Sequence, residues 1–472
     1  MSFAHLPTPA QKRIPGRGSP VSGLGQLFEL VIDRHAPVCF RAYDGSSVTR
    51  AGAVGTVELN RPRALRYLAT APGQLGLARA YVMGDLDVSG DLHATLMALL
   101  RHRRARVPWI ELARAVRPWM LLRPPLPPEE LAAFWRRGLV AHTRARDARA
   151  ITHHYDLSNR FYELVLGSSM AYSCAVFDSP LTTLQQAQRE KFDLICRKLA
   201  LSPDERLLDV GAGWGGLVRH AAEHYGARSL GVTLSRAQAE WASRSIRAAG
   251  LAHRAEVRHL DWRDVRERGF DAIASVGAME HIGTAQLGSH FAAMSRLLRP
   301  EGRMLNHAIT RPTSRVRHRP NPFFDRYVFP DGELQSPGTV IAAMHDNGLE
   351  VRHEENLREH YAATLREWGE NLERNWVQAV AEVGAQRARV WRLYMACSRI
   401  GFETNRLQIH QMLGVRTSDS GCSGMPPRPS WPRTGRYAQA SDRQSALVNA
   451  GSSLGASLST GTIVGRRGEV CP

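Results

Sequence analysis

A chain of 472 residues, 43% apolar and 22% charged, is too long for one small domain and has enough apolar side chain to form packed cores. Its formal charge of +18 is uneven: +11 falls in residues 1–150, +3 in 151–410 and +4 in 411–472. No apolar run approaches the roughly 18 residues of a membrane span, and the opening MSFAHLPTPAQKRIPGRG lacks the apolar core of a secretory signal. The basic excess calls for partners with negative charge, such as nucleic acid, anionic lipid headgroups or an acidic protein, met by the ends of the chain and not its middle. Only Lys12, Lys191 and Lys198 are lysines among 62 cationic residues. Cys39, Cys174, Cys196, Cys397, Cys422 and Cys471 form no C-x-x-C and no zinc spacing with His. They read as free thiols in a reducing compartment, and no metal site is expected.

In chain order, residues 1–22 are rich in Pro, Gly and Arg and read as a flexible arm. Residues 23–100 alternate at Val38, Phe40 and Ala42 and again at Val54, Val57 and Leu59, and a helix-like run spans Gly76–Met83. They are expected to form a small α+β accessory domain. Residues 101–150 carry Arg101, Arg103, Arg104 and Arg106 beside Trp109, Trp119 and Trp135, a combination suited to a membrane interface or to a solvated linker. Within a domain expected over 151–417, strands and helices alternate from 200 to 310. Strands are expected at Arg206–Val210, Ser229–Thr233, Val257–Leu260, Ala272–Val276 and Arg303–Ala308, with helices at Leu217–Tyr225 and Arg236–Ala249. Such alternation argues for an α/β fold with a parallel sheet wrapped by helices. Residues 418–472 turn to Ser, Gly, Thr and Pro and read as a disordered tail.

The sharpest local signal is LLDVGAGWGGL, Leu207–Leu217, in which a strand runs into glycines and then a helix. Glycines let the backbone turn tightly and approach a ligand. Gly211, Gly213 and Gly216 also satisfy G-x-G-x-x-G, so the loop alone does not separate dinucleotide enzymes from others. The next strand does. NAD enzymes end it with an acid for the ribose, whereas here it ends GVTLSRAQ, with Thr233 and Ser235 and no carboxylate. Asp209 before the glycines, and Asp261-Trp262 after the following strand, suit S-adenosylmethionine instead. The Asp261 carboxylate would accept from the adenine amino group while the indole packs on the ring.

HHYDLSNRFYELVLGSSMAYSCAVF (His153–Phe177), LLDVGAGWGG, GVTLSRAQ, VGAMEHIG (Val276–Gly283), LNHAIT (Leu305–Thr310) and DRYVFPDGEL (Asp325–Leu334) follow in this order. Together they resemble the cyclopropane-fatty-acyl-phospholipid synthases and the related mycolic acid cyclopropane synthases, from about His153 to Arg416. Residues 1–100 resemble the smaller N-terminal domain of the phospholipid-acting branch. The resemblance implies a Rossmann-like class I methyltransferase fold with a seven-stranded sheet. It also implies transfer of a methylene from S-adenosylmethionine to a cis double bond of a phospholipid acyl chain. Cofactor contacts carried over by position are Tyr172, Ser173, Gly211, Gly213, Thr233, Leu234, Gln238 and Trp262.

Family members use bicarbonate as the base, and the implied cage here is Glu280, His307, Tyr361 and the backbone of Cys174 and Ile309. Singly, each has an ordinary alternative: Glu280-His281 as a helix start, His307 as a core histidine, Tyr361 as helix packing. Their shared order within the family segments favours the functional role. Cys397 matches a cysteine considered catalytic in the family, although ring closure gives a thiol nothing to do. Phe323, Phe324, Tyr327 and Phe329 are expected to wall an acyl tunnel. The expected partners are unsaturated phospholipid and an anionic membrane surface at the inner face of the plasma membrane, approached from the cytoplasm, with no nucleic acid. A homodimer is compatible with the sequence. The rivals are a fatty-acyl C-methyltransferase making methyl-branched lipids and a non-catalytic lipid-binding protein on a methyltransferase scaffold.

Overall fold

The computed structural model describes residues 23–104, 117–130, 157–315, 321–330 and 332–432. The proposed arm 1–22, most of the basic segment with Trp109 and Trp135, His153–Asp156, Asp331 and the tail from 433 lie outside the described residues. The chain divides into two compact units, Met1–Gly424 and Met425–Pro472. In the second, the described residues 425–432 contain no helix or strand.

The first unit holds two sheets. The N-terminal one has the order β2-β1-β3-β4 and is built from β1 (Val38–Ala42), β2 (Ser47–Val48), β3 (Gly55–Leu59) and β4 (Leu86–Gly90). The expected alternation is visible in β1, where Val38, Phe40 and Ala42 are buried. Around this sheet lie α1 (Leu24–Val31), α2 (Arg63–Thr70), α3 (Gln74–Val82) and α4 (Leu92–Arg101).

The second sheet has seven strands. Its parallel part runs β9-β8-β5-β6-β7, from β5 (Arg206–Val210), β6 (Arg228–Thr233), β7 (Ala255–His259), β8 (Phe270–Val276) and β9 (Leu298–Thr310). Leu208, Val210, Val232, Ile273 and Met304 are all buried in one core cluster, because helices cover both faces and leave these strands no solvent side. Two antiparallel strands, β10 (Glu350–Asn356) and β11 (Gln408–Val415), complete the order β10-β11-β9. Neither reads as a strand from periodicity. EVRHEEN is polar except for Val351, since it forms the sheet edge.

The order reverses between β5 and β8, and in open α/β sheets the crevice at the carboxyl ends of the strands around such a switch takes the ligand. Among the described residues no helix is long and apolar enough to cross a membrane.

A buried ionic knot joins the N-terminal elements to the large sheet's side of the molecule. Glu130 is 3% exposed and takes both guanidinium donors of Arg79 on α3. It also pairs with Arg326 and accepts the Tyr327 hydroxyl at 2.9 Å. Arg389, on a helix spanning Ala385–Glu403, reaches the Tyr81 and Leu86 carbonyls and the Asp87 carboxylate. Tyr327, expected in the tunnel wall, is therefore spent on Glu130. The surrounding donors hold the Glu130 carboxyl below its usual value against the opposing effect of burial.

Removing one partner strands the others in low dielectric, so Glu130→Ala is expected to destabilise the fold by about 3–5 kcal/mol, measured by chemical unfolding of the full chain. Because the folded carboxyl titrates lower than the unfolded one, Glu130's contribution should be complete above the unfolded value of 4.5. It should be lost as pH falls through the depressed folded value, and the variant should lack that part of the acid transition.

Candidate active site

The glycine loop leaves β5 at Val210. Gly211 has φ +81°, and a Cβ there would lie 2.9 Å from the Ala278 Cβ, so no other residue fits without displacement. Gly213 has φ +53° and faces open space, which leaves the backbone bare toward a ligand. A small cavity of about 70 Å³ is lined by Tyr172, Ser173, Lys191, Asp209, Gly211, Gly213 and Gln238 among others. Thr233 does not line it but donates its hydroxyl to Gln238 Oε1 at 2.7 Å, which aims that side chain.

Asp209 is 3% exposed and its Oδ1 has no hydrogen-bond partner. Burial pushes its carboxyl up, and the nearby Lys191 ammonium opposes this. Lys191 Nζ donates to Ser173 Oγ at 2.9 Å. A buried acid with an unused oxygen beside a bare glycine backbone fits a ligand with an ammonium group, as S-adenosylmethionine carries.

The remaining expected cofactor contacts lie further along the carboxyl edge of the sheet. Leu234 follows β6 and accepts His259 Nε2 on its carbonyl at 3.1 Å, whereas Asp261 and Trp262 follow β7. Asp261 does more than the adenine role assigned from sequence. Its Oδ1 accepts the Arg263 N–H at 2.9 Å and its Oδ2 the Arg263 guanidinium at 3.0 Å. The Trp262 ring stands edge-on to His290, with centroids 4.8 Å apart.

A second cavity, of about 1230 Å³, begins beside the cofactor loop. Tyr172, Ser173 and Gly277 line it, as do Glu280, His307, Ile309, Tyr361 and Cys397. Glu280 lies on a 3₁₀ turn, Met279–His281, that follows β8. Its carbonyl accepts the Glu333 N–H, which ties the DGEL segment to the turn. His307 lies on β9, paired with Val276 of β8. The strands thus bring to one wall two residues that are 27 positions apart in sequence.

Glu280 Oε1 accepts the Ile309 N–H at 2.7 Å, while Glu280 Oε2 and His307 Nε2 are buried with no partner. The Ile309 amide, expected to cradle an anion directly, is thus occupied by the Glu280 carboxylate. Burial pushes the Glu280 carboxyl up to about 7 and holds His307 well below its usual value, with the Lys191 and Lys198 charges adding to the second effect. Two orphaned polar atoms in an apolar wall fit a small oxyanion that can share protons with both, as bicarbonate can.

Cys174 is not among the lining residues. Its thiol points to the Ala175 and Leu357 carbonyls, and burial pushes its pKa up. Cys397 does line the cavity, but burial alone raises its thiol to about 12, which leaves no thiolate for chemistry at neutral pH. Of the expected aromatic wall, Phe323, Phe324 and Phe329 line the cavity.

The sequence reading missed Tyr394, whose ring meets Phe324 and Phe329 edge-on and whose hydroxyl pairs with that of Tyr172 at 3.0 Å. Trp391, Tyr394, Cys397 and Ser398 recur at helical spacing on one face, and that was the available signal. Also unforeseen is the source of the far wall: Phe28, Phe40, Val57, Leu59, Leu92 and Leu96 of the N-terminal elements line the same cavity.

The family model described as mycolic acid cyclopropane synthetase matches residues 142–412. A protein named "Probable fatty acid methyltransferase Rv3720", from Mycobacterium tuberculosis, is 48% identical over 84% of this chain and 95% of its own length. A Pseudomonas putida protein also named "Probable fatty acid methyltransferase" is 37% identical over 88% of this chain and all of its own. Among solved structures, mycolic acid cyclopropane synthase CmaA1 complexed with SAH and CTAB superposes with a TM-score of 0.54 at 32% identity, covering 57% of this chain and 97% of that one. With its class I sheet, its glycine loop and the wall that carries Glu280 and His307, this chain belongs to the mycolic acid cyclopropane synthetase family of S-adenosylmethionine-dependent methyltransferases.

Proposed function

We propose that this chain transfers a methylene group from S-adenosylmethionine to the cis double bond of an unsaturated phospholipid acyl chain and closes a cyclopropane ring, with bicarbonate as proton acceptor. The observation that carries the reading is the pair of unpartnered buried atoms, Glu280 Oε2 and His307 Nε2, in the wall of an apolar cavity that starts at the cofactor loop. When bound, S-adenosylmethionine supplies an electrophilic methyl group, and bicarbonate supplies a base for the proton that ring closure releases.

The residues of this chain do the rest. Asp209 and Ser173 would hold the amino-acid end of the cofactor, and Thr233 aims Gln238. The faces of Tyr172, Tyr394, Phe324 and Phe329 can stabilise the positive charge that develops on the acyl chain. The apolar lining excludes water, which would trap that charge. Glu280, with its proton held near neutrality, and His307 would hold the anion between them, and the Glu280 carboxyl is the group that can exchange a proton with it.

The acyl chain has to leave a bilayer to reach this site, and the rim of the cavity suits that entry. Leu77 and Leu121 line the cavity and are 47% and 59% exposed, with Leu122 and Trp119 exposed beside them. Arg66 holds this segment through the Leu122 and Arg123 carbonyls, and Arg103, Arg117 and Arg123 are exposed nearby in sequence. Exposed apolar side chains with exposed arginines near them in the sequence suit an anionic lipid surface. The N-terminal elements would serve as docking face and cavity wall together.

A second reading is favoured by the relatives' names, which say fatty acid methyltransferase. In it the same methylated cation takes up a hydride from a separate donor, such as a reduced nicotinamide, and a methyl branch forms in place of the ring. Incubation of the full chain with methyl-labelled S-adenosylmethionine, a reduced nicotinamide as hydride donor and vesicles of defined cis-unsaturated phospholipid separates the two. Ring closure adds CH2 and leaves no double bond, while a methyl-branched saturated chain adds two further hydrogens and would overturn the ring. A non-catalytic lipid-binding protein would transfer no label.

Glu280→Gln is expected to lower product formation by about 100-fold or more, while S-adenosylhomocysteine binding measured by calorimetry is unchanged. The raised Glu280 carboxyl also makes native stability fall as pH rises from 4.5 toward about 7, because the folded state keeps a proton that the unfolded chain releases. Glu280→Gln should remove its share of that slope in pH-dependent unfolding, at most about 3 kcal/mol, while Asp209, whose carboxyl burial also raises, keeps contributing in the same sense. Replacing Leu121 and Leu122 together by Asp should weaken flotation with anionic vesicles at least about tenfold, again with S-adenosylhomocysteine binding intact.

A further inference from the structure

His307 enters the cavity wall as one member of a polar row that crosses three strands. Glu355 of β10 is register-paired with Gln411 of β11, and Gln411 is register-paired with His307 of β9. Paired residues of antiparallel neighbours project from the same face of the sheet, so the three side chains stand side by side. Lys198, near the C-terminus of the helix Leu184–Leu199, lies over this row. Its Nζ donates to Gln411 Oε1 at 2.7 Å and to Glu355 Oε2. Gln411 Nε2 lies 3.0 Å from His307 Nδ1. Lys198, Gln411 and His307 are all fully buried, so no water competes for these contacts.

We propose that Lys198 and Gln411 are positioning residues that hold His307 as the neutral Nε2–H tautomer, so that the imidazole meets the reacting anion as a hydrogen-bond donor and not as a base.

The assignment follows from donor and acceptor identity. An ammonium has three donors and no acceptor. The Gln411 atom facing Lys198 is therefore the amide oxygen, and rotating the amide by 180° would set NH2 against NH3+. The Gln411 NH2 group then faces His307 Nδ1 and requires a lone pair there. A neutral imidazole with Nδ1 unprotonated carries its proton on Nε2, the atom that points into the cavity wall without a partner. The Glu355 carboxylate against Nζ keeps Lys198 cationic. The Lys198 charge further disfavours a protonated His307, while the neutral amide between them passes on the orientation. Glu280 Oε2 supplies the second orphan atom, so the wall offers an oxyanion one fixed donor and one carboxyl of adjustable protonation. The ligand chemistry rests on the bicarbonate reading above, while the tautomer does not.

The test uses full-length protein labelled with ¹⁵N-histidine, with the His307 signals identified by their loss in His307→Asn. The expected spectrum has the proton on Nε2 and a bare Nδ1. In Gln411→Glu a carboxylate accepts from Lys198 and from the ring, so the proton should move to Nδ1. Methyl transfer should then fall about 10- to 100-fold, with a raised bicarbonate requirement and an unchanged KM for S-adenosylmethionine. Lys198→Met frees the amide to rotate and should give a mixture of both tautomers even if Gln411→Glu folds poorly. A proton on Nδ1 in the unaltered protein, or the Nε2–H form persisting in both variants, would overturn the proposal. The expected tautomers with a rate independent of bicarbonate would support the positioning role and overturn the bicarbonate reading alone.

Discussion

The structure is organised around a cost: a carboxylate and an imidazole are buried with one polar atom each left without a partner. Every such atom forfeits about 1–3 kcal/mol of hydrogen bonding, a cost that a bound oxyanion would offset. Glu280 Oε2 and His307 Nε2 are held in that state by the sheet itself. β8 and β9 pair Val276 with His307, and the Gly277 amide donates to the His307 carbonyl at 2.8 Å. The turn after β8 therefore delivers Glu280 beside β9, where the Ile309 amide ties down one of its oxygens and frees the other.

That arrangement is useful only in a dry compartment, and the rest of the molecule supplies one. The cavity is walled on one side by the helix Ala385–Glu403 and the aromatic residues Phe323, Phe324 and Phe329, and on the other by the N-terminal sheet and its helices. The two sides are fastened by the Arg79–Glu130–Arg326 knot and by Arg389. Domain arithmetic along the chain makes residues 23–100 a separable accessory. In the fold they line one side of the same cavity.

Two antiparallel strands at the end of an otherwise parallel sheet extend the logic. β11 brings Gln411 beside His307, and β10 brings Glu355 beside Gln411, so one row reaches from the cavity wall to the partly exposed Glu355. Two of the three lysines in a chain of arginines, Lys191 and Lys198, are buried near the reacting groups. A compact ammonium can seat against one oxygen of a hydroxyl or amide, whereas a guanidinium would demand a planar, forked partner.

What the sequence determined by itself is local or carried by order. LLDVGAGWGGL fixes a strand, a tight turn and a helix, because glycine takes the positive φ at 211 and 213 at least cost and a Cβ at 211 would collide with Ala278. Apolar runs such as RLLDV mark strands buried on both faces, and the succession of family segments places Glu280, His307 and Tyr361 in one site. The polar strand EVRHEEN was illegible because an edge strand needs no apolar period. Gln411 and Lys198 were invisible because their meaning lies in register and in a helix packed across the sheet, 213 positions apart in the chain. Tertiary structure alone decided that Ile309 serves Glu280 and that Tyr327 serves Glu130. It alone made the N-terminal core a wall of the catalytic cavity, since hydrogen-bond partners and the shape of a void depend on which distant surfaces meet.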